Sequence, residues 1–325
     1  MQSYRRHVVL SGTALLMLNM VLPLAVAQTY PTRPIRVIVP YPPGGAADIT
    51  ARILWPRMGE AFGQQFVIDN RGGASGIIGA DIVANSTADG YTLLHDASAF
   101  TVNPALRKLP FDPLKELAPV AMLMRTPNML VVHPSVPIAT TRDLVDLARA
   151  QPGRITYASA GFGSAPHMAG ELFQYLAKVS LLHVPYKGGG PAYADLLGGQ
   201  VHLLFGSIAS ALPHVQSGRL KGIALTSSKR SRAAPQIPTI VESGVAEFEV
   251  YEWNALYAPS AVAPSIVARL NAEMNKLLAA TDMQQRFFQM GAKVTPMTRA
   301  EVGRYVRGEM AKWVKTVKET GIKGE

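Results

Sequence analysis

From residue 35 onward the chain repeats one pattern: a short β-branched and apolar run, a break rich in glycine and proline, then apolar positions at helical spacing. Residues 35–39 predict a strand, 40–45 a turn that no helix could contain, and 46–62 a helix with Ile49, Ile53 and Leu54 on one face. The unit recurs as strand 66–69, loop 70–76 and helix 77–85, followed by strand 92–94 ending near His95-Asp96-Ala97-Ser98. The middle of the chain predicts strand 130–132, helix 141–150 opened by a Ser/Thr-type cap, strand 156–158, a glycine break, and helix 165–177. Strand 182–184, loop 185–190, helix 191–197 with its early proline, and strands 201–205 and 221–226 follow. Beyond residue 265 the pattern is mostly helical, with a strand at 293–295 and an amphipathic helix from 299 to about 320.

Strands alternating with helices predict an α/β protein with parallel sheets covered on both faces. Such open sheets bind ligands at the carboxyl ends of their strands, so the glycine-rich turns all sit where a ligand would be. At ~100–200 residues per domain, the 325 residues suggest two domains. No long linker separates them. Crossings near 124–129 and 250–256 predict a discontinuous first domain, 28–126 with 252–325, and a second domain, 127–251.

Residues 1–27 read differently. Arg5, Arg6 and His7 form a positive start, 8–24 is nearly continuous apolar sequence, and Ala25-Val26-Ala27 is a small-x-small cleavage signal. The apolar run is shorter than the ~20 residues a membrane span needs, which favours a leader cut before Gln28 over an anchor. The paired arginines also loosely fit a twin-arginine signal. Either route puts the working protein in the periplasm, away from genome-facing and ATP-driven functions.

With 48% hydrophobic and 17% charged residues there is enough apolar side chain for a large core. The chain has no cysteine, which removes disulfide scaffolds, thiolate metal sites and Cys nucleophiles. Its net charge of +10 could steer anions inward. No basic-aromatic array suggests nucleic acid, and the charged C-terminal helix with Lys312, Lys315 and Lys318 reads as a solvated face.

Enzyme signatures mostly fail. Gly73-Ala74-Ser75-Gly76 puts its first glycine one place early for a nucleophile elbow, and Gly73, Gly76 and Gly79 have the wrong spacing for a dinucleotide fingerprint. The seven histidines form no metal-binding pair, so neither metal nor cofactor is expected. His167, three residues after Ser164, either orders its loop or serves an exported serine hydrolase, for which no orienting acid is evident. Asp48 with Arg52 reads as a structural pair, and Asp69, Arg71 and Asp81 as ties between loop and scaffold.

What remains is four loops rich in backbone N–H groups and small side chains: 41–46, 71–76, 159–164 and 187–190. Helix starts present unpaired N–H groups and partial positive charge, so several converging make an anion site without a fixed cation. Each loop taken alone is simply a βα turn. Four together predict a carboxylate site.

These stretches resemble the substrate-binding proteins of tripartite tricarboxylate transporters, the Bug family. The resemblance rests on six ordered blocks. They are the run from Tyr30 to Asp48, Asn70 to Gly79, Asn103-Pro104, Tyr157 to Ser164 with His167, Val184 to Pro191, and Pro235 to Thr239. It implies a type II periplasmic binding protein fold, with two α/β domains closing on an organic carboxylate for delivery to membrane transporter subunits, and a monomer. A ligand-sensing partner of a signalling receptor would use the same fold. The matching binding positions are Tyr41, Gly45 and Ala46; Ser75 and Gly76; Ala160, Gly161 and Ser164; with Ser98 and Ser207 lining the far end. The chain departs from the family pattern at Ala47, where a hydroxyl is usual, at Phe100, where His is frequent, and at Gly206, where Asp commonly ends the strand. Loss of that Asp removes a partner for a ligand ammonium and adds room, which favours a dicarboxylate or an aromatic acid over an amino acid.

Overall fold

The structure, a computed structural model, describes residues 30–323; the predicted leader at 1–27 lies outside the described residues. The strands are β1 (Ile35–Val39), β2 (Phe66–Asn70), β3 (Thr92–Ala97), β4 (Leu117–Val132), β5 (Thr156–Ser159), β6 (Leu182–Pro185), β7 (Leu203–Ser207), β8 (Lys221–Leu225) and β9 (Tyr251–Pro259). The helices are α1 (Ala46–Phe62), α2 (Ile77–Ala84), α3 (Ala99–Leu106), α4 (Thr141–Ala150), α5 (Ala165–Ala177), α6 (Gly189–Leu197), α7 (Ile208–Gln216), α8 (Pro264–Ala279), α9 (Thr281–Gln289) and α10 (Arg299–Thr320).

The ladder runs β2-β1-β3-β9-β4-β7-β5-β6, with β8 also on β4. Strands reached through a crossover helix are parallel: β1 with β2 and β3, and β5 with β6 and β7. The middle of the sheet is antiparallel instead, because β9 returns beside β3 and β4, and β4 runs against β7 and β8. The sheet is therefore mixed, where strand and helix alternation predicted parallel pairing. The 16-residue β4 joins the two halves, pairing with β9 up to Pro127 and with β7 and β8 from Asn128 onward.

Local signals account for many boundaries. The Thr140 hydroxyl accepts from Asp143 N–H while the Asp143 carboxylate accepts from the Thr140 N–H, a capping box that starts α4; Thr298 and Glu301 do the same for α10. Helix α1 stops at Gly63, whose left-handed backbone closes the last turn. The predicted strand at 293–295 is only a bridge between Lys293 and Arg125.

Period-two alternation covers the sheet on both faces in its second half. Leu130, Val132, Tyr157, Leu203 and Phe205 pack on one side with Phe173, while Met129, Val131, Ala158 and Leu204 pack on the other with Tyr193 and Leu196. In the first half, Ile38, Leu94, Phe100, Trp253 and Tyr257 share a core with Val302 and Val306 of α10. The far end of that helix, Trp313, joins the Phe173 core instead. No helix among the described residues is long and apolar enough to cross a membrane.

Candidate functional site

Asp48, in the first turn of α1, ties down the loop that follows β1. Its carboxylate accepts from Gly44 N–H (3.0 Å), Arg52 Nε (2.9 Å) and Asn70 Nδ2 (3.1 Å), and Asn70 also donates to the Tyr41 carbonyl (2.9 Å). Burial works against the carboxylate, but the Arg52, Gly44 and Asn70 donors outweigh it and hold its pKa below the ordinary value. Asp69, salt-bridged to Arg36 and Arg71, fixes the neighbouring loop. Asp48 and Asp69 thus do the structural work expected of them, and Asp81 accepts from Asn85 at the end of α2.

On the other side, Ser164 caps α5. Its hydroxyl donates to the Gly161 carbonyl (2.6 Å) and accepts from His167 N–H (3.4 Å), and His167 Nδ1 accepts from Gly163 N–H (3.1 Å). Burial, then the neighbouring His183 and Arg107, push the His167 pKa down to about 3, so the ring is neutral. His167 therefore orders its loop. Its ring nitrogen is turned to the Gly163 backbone, and the Ser164 hydroxyl to a carbonyl.

These loops enclose a cleft of about 580 Å³, its open mouth included. Of the ten positions expected to bind ligand, Tyr41, Gly45, Ala46, Ser98, Ala160, Ser164 and Ser207 line it. The other three stand just behind. Ser75 takes a hydrogen bond on its carbonyl from Asn103 Nδ2 (3.1 Å), its hydroxyl lies beside Gly161, and Gly76 lies beneath the Tyr41 hydroxyl. Five helix starts reach the cleft, those of α1, α3, α5, α6 and α7, through Gly45, Ser98, Ser164, Gly189 and Ser207. The Ser98 and Ser207 hydroxyls are buried without a partner. None of the lining residues is Lys, Arg or His.

The first and fourth glycine-rich loops meet through bare backbone. A Cβ on Gly188 would lie 2.6 Å from Pro42 Cγ, and one on Gly190 would lie 2.7 Å from the Pro43 carbonyl. The first and fourth glycine-rich loops touch because neither has side chains in the way.

The floor is acidic. Tyr41 Oη donates to Asp96 Oδ1 (2.8 Å), which also accepts from Ala97 N–H (2.7 Å). Glu252 of β9, opposite Thr126 of β4, lines the cleft at 8% exposure, and its side chain forms no hydrogen bond with the described residues. Burial pushes Asp96 up to about 7; burial and then the Asp96 charge push Glu252 up to about 8. Among the described residues, no cluster of His, Asp or Glu could hold a metal ion.

Sequence reasoning missed Glu252 and Tyr193 as lining residues, while Gly189 belongs to the fourth predicted loop. A lone acid inside the otherwise apolar run from Val250 to Pro259 was the available signal for Glu252. Gly206 adds no room: a Cβ there would overlap the Tyr193 hydroxyl, so the tyrosine fills the space that a larger residue would take. Phe100 is buried and stacked on Tyr257 at 4.3 Å, a packing role.

Comparison with known proteins adds a family. The description "Tripartite tricarboxylate transporter family receptor" matches residues 50–322. A structure of R. palustris Rpa4515 with adipate is 34% identical, with a TM-score of 0.89, covering 91% of this chain and 100% of that one. The periplasmic binding protein BugD is 32% identical, with a TM-score of 0.87 and coverage of 91% and 100%. MatC (Rpa3494) from Rhodopseudomonas palustris, with bound malate, is 31% identical, with a TM-score of 0.83 and coverage of 89% and 100%. The fold is that of these mixed α/β periplasmic binding proteins.

Proposed function

The chain belongs to the tripartite tricarboxylate transporter receptor family, and from that premise we propose that it captures a small aliphatic dicarboxylate in the periplasm and hands it to membrane transporter subunits. The family is one of transporter binding proteins, so the chain is a receptor and not an enzyme. Export follows from the leader read at residues 1–27, cut before Gln28. Its relative BugD is a periplasmic binding protein.

The observation that carries the ligand class is the cleft itself: five helix starts and two unpartnered serine hydroxyls converge where no lysine, arginine or histidine lines the wall. Backbone N–H groups with partial positive charge are the donors a carboxylate needs. Charge-assisted hydrogen bonds contribute roughly 1.5–3 kcal/mol each, so a few suffice for the about −8 kcal/mol of a micromolar complex. Relatives solved with adipate and with malate favour two carboxylates on a short aliphatic stem, and Tyr193 in the space beside Gly206 disfavours a ring.

In the proposed cycle, residues 28–126 and 252–325 form one lobe, 127–251 the other, and the crossings of β4 and β9 carry the hinge. The ligand favours the closed form only through contacts made with both lobes, which the loops of Gly45 and Ser164 supply. A thermal-shift and calorimetric screen of residues 28–325 tests this. Adipate, malate or an acid of similar length at ~100 times its dissociation constant stabilises the fold by about 2.7 kcal/mol, a shift of a few degrees. Failure of every carboxylate to bind ligand-free protein, or tighter binding of aspartate or glutamate than of every plain acid, overturns the reading.

A further inference from the structure

Glu252 is the one acidic side chain that lines the cleft without a protein partner. It stands where β4 and β9 cross between the sheet halves, paired through the backbone with Thr126. Every titratable group facing it is itself acidic: Asp96 from β3, Tyr41 from the loop after β1, and Tyr193 from α6. No cation on any of these elements lines the cleft to balance an ionised Glu252. Yet an anion is what the surrounding helix starts are built to receive.

A carboxylate ligand and an ionised Glu252 would meet in the same buried space, where like charges repel with little screening. A protonated glutamic acid reverses the sign of that contact, because its O–H donates to a carboxylate oxygen. Resting on the dicarboxylate reading above, we propose that Glu252 enters the complex as the neutral acid and donates a hydrogen bond to the ligand's second carboxylate, so that each dianion is captured together with one proton. Below the Glu252 pKa that proton is already in place. Above it, the proton is taken from solvent as the ligand binds, with no other bond made or broken. Burial, which pushes Glu252 up to about 8, places this change within a measurable range.

Adipate and malate are titrated calorimetrically into residues 28–325 between pH 6 and pH 10, in pairs of buffers of different ionisation enthalpy. Binding takes up almost no proton at pH 6 and about one proton above pH 8, and the affinity falls about tenfold for each pH unit above the Glu252 pKa. Glu252→Gln keeps a neutral donor in place that cannot titrate, so both its proton uptake and the fall of its affinity above pH 8 are lost. Acid binding with no proton uptake and unchanged affinity to pH 10 overturns the proposal while leaving the dicarboxylate reading intact. So does a Glu252→Gln affinity for the plain acids reduced about a hundredfold. Binding of no acid at any pH overturns both.

Discussion

The rim of the cleft and its floor solve opposite electrostatic problems within one small space. The rim gathers the starts of five helices and offers positive partial charge with no ionised side chain. The floor holds one carboxyl group in the lining, Glu252, and a second, Asp96, behind the Tyr41 hydroxyl, both at depths where ionisation is costly. Charge carried by backbone dipoles is insensitive to pH; charge carried by buried carboxyls is not. Selection by the rim therefore concerns what an acid is, and selection by the floor concerns how many protons come with it.

The contrast breaks most sharply if a fixed negative charge is placed on the rim. Ala160→Asp sets a carboxylate among the helix starts, and the affinity for any dicarboxylate measured by calorimetry falls by two orders of magnitude or more, on the order of 3 kcal/mol. Next in size is the effect of pH on the ligand-free fold. Raised from 4.5 to about 8, Glu252 contributes stability that is complete below pH 4.5 and is lost as pH rises through 8. Glu252→Gln escapes that loss, so its melting temperature gains on the parent by several degrees between pH 4.5 and 9; a constant difference across that range contradicts the assignment. The histidines behind the rim act in the opposite sense. Burial lowers His167 to about 3 and His95 and His183 to about 4, so their contribution is present above 6.5 and is lost as pH falls through those values.

A smaller effect separates loop contact from ligand contact. Gly190→Ala places a methyl group against the Pro43 carbonyl and hinders the proposed closing without touching the ligand. Affinity falls about tenfold, or ~1.4 kcal/mol, while the ligand-free melting temperature stays within about 2 °C. The smallest change sharpens the comparison. Ser98→Ala and Ser207→Ala remove hydroxyls that have no protein partner, so each costs about threefold to tenfold in affinity and leaves the melting temperature of the ligand-free protein within about 1 °C.

Much of this architecture was legible where punctuation residues mark boundaries. The Pro40–Gly45 turn and the Gly63 stop frame α1, and Thr140, Ser164 and Thr298 announce α4, α5 and α10. The same cues misled elsewhere. The reading of a strand only at 130–132 stopped short, because β4 runs from Leu117 through Pro119 and Pro127, accommodating the first with a shift in register. Pro104 and Pro213 hid α3 and α7, although Ser98 and Ser207 at their starts were found as strand-end serines. Glu252 could not be read locally, because its role depends on β9 returning beside β3 to face Asp96. Gly206 misled for a related reason: the space it leaves is filled by a tyrosine from another helix.

The glycine contact between residues 42–45 and 188–190 has a thermodynamic consequence. Docking two surfaces usually freezes side chains, at up to about 2 kcal/mol of rotamer entropy for a long one. Glycine has no rotamer to lose, and proline is already constrained. In the proposed cycle a seam made from these residues would shut and part with little entropy of its own, so the occupancy of the closed state would follow the ligand rather than the seam. An empty receptor held shut by its own contacts would be deaf to concentration; on the proposed cycle this seam would leave it responsive.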